Sequence, residues 1–255
     1  MGILDLFKLN GKTAIVTGCS RGLGQGMSTG LAEAGANIFG VDYFPEAPET
    51  KAIVEKVGVK FSYMSANLLT IEPIEKIFEE AVKAFGYVDI VINNAGIIKR
   101  NDSVDFTEAE WDDVMNINLK TVFFMCQAAA RQYIKQKTGG KIINVASMLS
   151  YQGGIRVPSY TASKSGVKGI TMLMANEWSK YNINANAIAP GYMATDNTAP
   201  IRADQDRSAA ILDRIPAGRW GVPADVAGVV VFLASEAAAY INGYTIAVDG
   251  GWLAR

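Results

Sequence analysis

Tyr160 and Lys164 stand four positions apart, a spacing that places both on one face of a helix. A tyrosine hydroxyl can give up or accept a proton, and a neighbouring ammonium favours the phenolate. The pair therefore predicts a phenol with a pKa below its ordinary value of about 10. Tyr and Lys at this spacing also occur on ordinary solvated helices, so the pair gains meaning from its surroundings. Ser147 closes an apolar run upstream and could hydrogen-bond a reacting oxygen, and Asn118 could complete a polar network. The chain contains no histidine. That excludes a Ser-His-Asp triad, a histidine base and His-ligated zinc. Acid–base chemistry near neutral pH then falls to a perturbed Tyr, Lys, Cys or carboxylate.

A glycine-rich turn, Thr17-Gly18-Cys19-Ser20-Arg21-Gly22-Leu23-Gly24, follows the first apolar run and opens a helical stretch. Glycines there allow a tight turn and close backbone approach to a pyrophosphate at a helix N-terminus. Such a turn can be purely structural, but its place between a first strand and a first helix favours a nucleotide. Asp42 ends the second apolar run. A carboxylate there accepts hydrogen bonds from ribose hydroxyls and repels a 2′-phosphate, so it predicts NAD, with NADP disfavoured. Arg21 pulls the other way. Asn93-Asn94-Ala95-Gly96 closes the fourth run with the amide and small side chains that suit a cofactor crevice.

The elements that must hold these residues alternate in type. Strands are predicted at 13–17, 37–42, 60–65, 88–93, 141–146, 184–188 and 245–248. Several are apolar nearly throughout, as strands covered on both faces are. Helices are predicted at 23–33, 71–85, from Thr107 onward, 159–181 and 224–234; Thr107 and Glu110 form a capping box and Gly86 a C-cap. The alternation implies an α/β fold with a mainly parallel sheet. No linker or repeat interrupts residues 1–255, which read as a single domain. Residues 192–222 contain no strand pattern and are predicted to form a substrate lid.

The composition narrows the function further. The 255 residues are 49% hydrophobic with a net charge of −1, and no basic stripe suggests nucleic acid. The longest apolar runs, such as 229–234, are too short to span a bilayer. Residues 1–12 lack a signal-peptide pattern, and the Met-Gly start lacks the Ser or Thr of a myristoylation site. Cys19 and Cys126 form no disulfide framework. A cytosolic, reducing compartment is expected.

Taken in order, Thr17 to Gly24, Asn93 to Gly96, Asn118, Ser147, Tyr160, Lys164, Pro190-Gly191 with Thr195, and Asp249-Gly250-Gly251 resemble the short-chain dehydrogenase/reductase family over the whole chain. The resemblance implies a Rossmann-like, doubly wound, seven-stranded parallel sheet. It implies a catalytic tetrad of Asn118, Ser147, Tyr160 and Lys164, with Lys164 also on the nicotinamide ribose, Thr195 on the carboxamide, and a homotetramer. A cofactor set follows: Gly18, Ser20, Arg21, Gly22, Leu23, Gly24, Asp42, Asn67, Leu68, Asn94, Ala95, Gly96, Tyr160, Lys164, Pro190, Gly191 and Thr195. Asn67 departs from the Asp usual in the family, though an amide can still bond the adenine amino group. Residues 147–160, with 189–196, 215–221 and 242–255, resemble the members that act on deoxy sugar acids. The expected reaction is reversible NAD(H)-dependent interconversion of a secondary alcohol and a ketone on such an acid. Its carboxylate needs a cation, and a guanidinium can bind one through paired hydrogen bonds. Arg156, between Ser147 and Tyr160, is the first candidate; Arg100 and Arg202 are the others. The competing expectations are a 3-oxoacyl-carrier-protein reductase, which would dock an acidic carrier through residues such as Lys135, Lys137 and Lys141, another polyol dehydrogenase, and a non-catalytic cofactor sensor on the same fold.

Overall fold

Successive residues of the first strand part to opposite sides: Ile15 enters one apolar cluster, Ala14 and Val16 the other. The same parting recurs in the fourth strand, where Val91 faces away from Ile90 and Ile92. A sheet with two apolar faces must be covered on both. In the computed structural model, which describes residues 2–255, it is. Met1, the first residue of the N-terminal segment considered above, lies outside the described residues.

The sheet comprises β1 (Thr13–Thr17), β2 (Asn37–Asp42), β3 (Phe61–Ser65), β4 (Ile90–Asn93), β5 (Gly140–Val145), β6 (Ile183–Pro190) and β7 (Thr245–Val248). All pairings are parallel and the spatial order is β3-β2-β1-β4-β5-β6-β7. Helices α1 (Gly22–Glu33), α2 (Pro48–Lys56) and α3 (Ile74–Phe85) connect the first four strands. Then come α4 (Glu108–Met115), α5 (Thr121–Gln136) and α6 (Pro158–Trp178). The last helices are α7 (Ala199–Ala203), α8 (Gln205–Arg214) and α9 (Pro223–Ala234). Met27 and Leu31 of α1 and Val226 and Val230 of α9 cover one face; Ile77 of α3, Met125 of α5 and Val167 of α6 cover the other. Each such fully buried side chain stabilises the fold by roughly 1.5–3 kcal/mol. This is the single-domain, doubly wound, seven-stranded α/β fold expected from the sequence.

Some expectations need correction. The helix expected from Ile71 begins at Ile74, because Pro73 sits at its N-cap. The helix starting after Thr107, whose capping box with Glu110 is present, does not run straight on. Asn116–Lys120 winds as a π turn before α5, and π turns favour functional sites. Within 192–222, α7 and α8 appear where only a strandless insertion was expected. The insertion is closed at its base by a parallel bridge between Met193 and Gly221. Ile211 and Ile215 of this insertion pack with Met148 and Trp252 in a small separate cluster.

The chain reverses its winding between β1 and β4. The loops after these two strands diverge there, leaving a crevice at their carboxyl ends, the place where doubly wound sheets bind ligands.

Candidate active site

Thr17, the last residue of β1, sets the floor of that crevice. Its Oγ1 donates to Ile92 O and accepts from the amides of Asn94 and Ala95, each at 3.0 Å. Asn94 Nδ2 returns bonds to Thr17 O and Gly18 O at 2.9 and 3.1 Å. The two loops at the switch point are thereby knitted together. Gly18 has φ +67°, and a Cβ there would lie 2.8 Å from Asn94 Nδ2. At Gly24, in the first turn of α1, a Cβ would lie 1.9 Å from Gly18 O. No side chain fits at Gly24, so α1 packs directly against the Gly18 backbone.

The resulting cleft encloses about 510 Å³. Its lining brings together Gly18, Arg21, Gly22, Leu23 and Gly24, Asp42, Asn67 and Leu68, Asn94, Ala95 and Gly96, and Tyr160, Lys164 and Thr195, the last close to Gly22. Ser20, Pro190 and Gly191, also expected at the cofactor, are not on the lining. Ser20 N donates to Asp42 Oδ2 at 3.0 Å, and Gly191 N to Val248 O at 3.0 Å. They shape the walls from behind. The lining also includes Tyr43, Phe44, Ile97, Ile117, Asp196 and Asn197, which the sequence reading missed. Tyr43 and Phe44 directly follow Asp42 and could have been inferred from that adjacency. Asp196 could not, because its partner is distant: its carboxylate meets Arg21 across the mouth at 3.0 Å, while Arg21 lies 5.0 Å over the Phe44 ring.

The catalytic end is assembled from three elements. Ser147 lies just past β5, and its hydroxyl acts on the Tyr160 phenol of α6, favouring the phenolate. Lys164, one turn along α6, is buried with its Nζ donating to Val145 O at 2.6 Å. Asn118 sits in the π turn, fully buried. Its Oδ1 accepts from Ile97 N and its Nδ2 donates to Ile97 O, both at 2.9 Å. It also reaches Ser163 Oγ at 3.4 Å.

The expected lowering of the Tyr160 pKa is not what this arrangement gives. Burial pushes the phenol up from its ordinary value, opposed by the Ser147 hydrogen bond and by the charge of Arg100. Lys164 spends its ammonium on the Val145 carbonyl instead. Burial pulls Lys164 itself down to about 8. Tyr160 is therefore a loaded proton donor near neutral pH, and Lys164 is the group closest to exchanging a proton there.

The three arginines separate. Arg156 is exposed, holds a left-handed backbone with φ 62°, and its Nε pairs with Asp102 at 2.9 Å. It lies off the cleft lining, with its guanidinium engaged by Asp102. Arg202 bonds the turn before α7, through Thr195 O at 3.1 Å. Arg100 bonds Asn197 O at 3.0 Å. Burial lowers its guanidinium pKa; the adjacent Tyr160 raises it, Arg207 lowers it and Tyr192 raises it. Of the three, Arg100 is the one whose charge acts on the reacting phenol.

A nucleotide crevice at the switch point, with Ser147, Tyr160 and Lys164 at one end, defines an oxidoreductase of the Rossmann-like class. The chain belongs to the short-chain dehydrogenase/reductase family. Residues 18–253 match the family model described as enoyl-(acyl carrier protein) reductase. The chain is 63% identical over 253 residues to the 2-dehydro-3-deoxy-D-gluconate 5-dehydrogenase of Escherichia coli K12, covering 99% of this chain and 100% of the relative. The Bacillus subtilis enzyme of the same name is 50% identical over 258 residues, covering 100% of both. A gluconate 5-dehydrogenase from Burkholderia cenocepacia, solved with NADP and tartrate, superposes with a TM-score of 0.94 at 35% identity, covering 100% of each chain.

Proposed function

We propose that this protein is an NAD(P)-dependent dehydrogenase that interconverts a secondary alcohol and a ketone on a deoxy sugar acid, and that its substrate is 2-dehydro-3-deoxy-D-gluconate, oxidised at C5, within breakdown of uronates. The single observation that carries the chemistry is Tyr160 and Lys164 together on the lining of one cleft, with the Ser147 hydroxyl acting on the Tyr160 phenol. The substrate rests on the full-length identity to enzymes of that name.

The glycine cradle fits a dinucleotide. Gly18, Gly22 and Gly24 line the cleft at the α1 N-terminus, where a diphosphate would be held. Asp42 would meet the adenosine ribose, Asn67 and Leu68 the adenine, and Thr195 the nicotinamide. When bound, the nicotinamide supplies or accepts a hydride. In reduction, Tyr160 protonates the carbonyl oxygen, Ser147 hydrogen-bonds the same oxygen, and Lys164 holds the ribose end. Asn118 positions a water that leads the proton outward. The residues act by prior orientation and electrostatics. Residues 192–222, anchored at the Met193–Gly221 bridge, would close over the substrate as a lid. The family resemblance supports a homotetramer. No helix among the described residues is long and apolar enough to cross a membrane, and a cytoplasmic site of action fits the metabolic role.

The cofactor is NAD(H) on the strength of Asp42, whose carboxylate lines the cleft at the end of β2 while Arg21 is engaged by Asp196. NADP is the second reading, favoured by related structures solved with it. Measured with both coenzymes, wild type should show the higher kcat/KM with NADH, and Asp42→Ala should narrow the gap by removing the repulsion. A wild-type preference for NADPH would take Asp42 out of this role.

The substrate carboxylate falls to Arg100. Arg100→Met should raise KM for the sugar acid by about tenfold or more, the loss of a charge-assisted hydrogen bond. KM for an uncharged ketone of similar size should change much less. Equal losses on both substrates would mean that Arg100 only shapes the wall.

A further inference from the structure

Beyond the tetrad, Ser150 touches two of its members at once. Its hydroxyl accepts from Ser147 N at 3.3 Å and donates to the Lys164 carbonyl at 2.6 Å. The residues between them close a short 3-10 turn, Met148–Ser150, in which Ser147 Oγ in turn accepts from Leu149 N at 3.1 Å. This is a reciprocal capping box used at an unusual place, because its first serine is the one that meets Tyr160. The Lys164 carbonyl belongs to α6, so the Ser150 bond is an extra tie from the turn to the helix. A second tie runs deeper: Asn144 Nδ2 of β5 donates to Thr171 Oγ1 of α6 at 2.9 Å. That tie fixes the helix to the sheet but leaves the turn carrying Ser147 free to shift. Ser150 joins that turn to the helix segment bearing Tyr160 and Lys164 by a short bond, and Ser165 Oγ adds a longer one to Leu149 O at 3.5 Å.

We propose that Ser150 is a positioning residue for the reaction: its hydroxyl holds the Ser147 turn in register with α6, so that the Ser147 and Tyr160 hydroxyls converge on one substrate oxygen. Ser150 lies off the cleft lining and does not act on substrate or cofactor itself. The inference rests on the reading of Ser147 as the residue that bonds the reacting oxygen.

Misplacement of a reacting group by about 1 Å can cost about 100-fold, and a smaller shift correspondingly less. Ser150→Ala should therefore lower kcat about tenfold, with KM for the nicotinamide cofactor and the cofactor dissociation constant from fluorescence titration little changed. Ser150→Thr, which retains the hydroxyl, should recover most of kcat. The alkaline limb of the oxidation rate should also move. The Ser147 hydrogen bond holds the Tyr160 pKa down, so loosening it should carry the rise in rate to higher pH. A variant that merely unfolds more readily would lose active protein without moving that limb.

The deciding experiment is a double-mutant cycle with Ser147→Ala. If Ser150 acts through Ser147, Ser150→Ala should cost little further once Ser147 is gone. A full tenfold loss in both backgrounds would overturn the positioning role while leaving the proposed mechanism intact. Near-normal turnover of Ser147→Ala alone would instead overturn the mechanism, and this inference with it.

Discussion

Tyr160→Phe should lower turnover by about 100-fold or more, the usual contribution of a positioned proton donor. The substitution keeps the ring and removes only the hydroxyl. Cofactor affinity should hold, because the glycine turn and Asp42 are left unaltered. The loss should appear in kcat and kcat/KM together, as expected when an interaction made only in the transition state is removed. Because burial raises the Tyr160 pKa, wild-type oxidation, which needs the phenolate, should accelerate with rising pH. Reduction, which needs the phenol, should hold its rate across neutral pH and fall only at alkaline pH. Near-normal turnover of Tyr160→Phe would remove Tyr160 from the mechanism.

Gly24→Ala should be nearly as damaging, by a different route. The added methyl would stand 1.9 Å from Gly18 O and 2.6 Å from Asn94 Nδ2, both parts of the framework that knits β1 to β4. Neither the backbone of the first loop nor the bonded amide can yield without opening the switch point. Overpacking of this kind costs about 1–3 kcal/mol, occasionally more. Here it also displaces the backbone that would meet the diphosphate. A fall in cofactor affinity of about 100-fold and a lowered unfolding midpoint are the expected results, read by fluorescence titration and thermal denaturation. Unchanged affinity would mean that the diphosphate does not sit over this turn.

The sheet was legible in the sequence because its strands are short, apolar on both faces and separated by turn residues. β1, β2 and β7 fall on the expected residues, and the others differ only at their ends. Helix α2 was not legible. It has nine residues, of which only Thr50 and Val54 are buried, so it carries little periodic signal. Helix α8 was missed for a similar reason, since Ile211 is its one buried residue. The π turn at Asn116–Lys120 leaves no mark in composition.

The site divides along the same line. Glycine spacing, Asp42 and the Tyr160–Lys164 pair are local features, and the cleft gathers them as spacing suggested. Partner choice over long sequence distance was invisible. Spacing placed Lys164 on the face of Tyr160, but nothing local indicated that its ammonium would bind Val145 O. That reversed the expected direction of the Tyr160 shift. Arg156 sits between the two catalytic residues in sequence, yet its left-handed backbone and Asp102 hold it off the cleft. Arg100 was only a second candidate, and the fold brings its charge to bear on Tyr160.

The central claim is tested most directly by incubating the purified enzyme with 2-dehydro-3-deoxy-D-gluconate and NAD and following the reduced nicotinamide by absorbance. Parallel reactions hold NADP in place of NAD, and NADH or NADPH with acyl thioesters. The proposed function predicts saturable formation of reduced nicotinamide from the sugar acid, at a kcat/KM well above that for any thioester. Turnover of thioesters with no oxidation of the sugar acid, or no turnover of any substrate by a folded, nucleotide-binding protein, would contradict it.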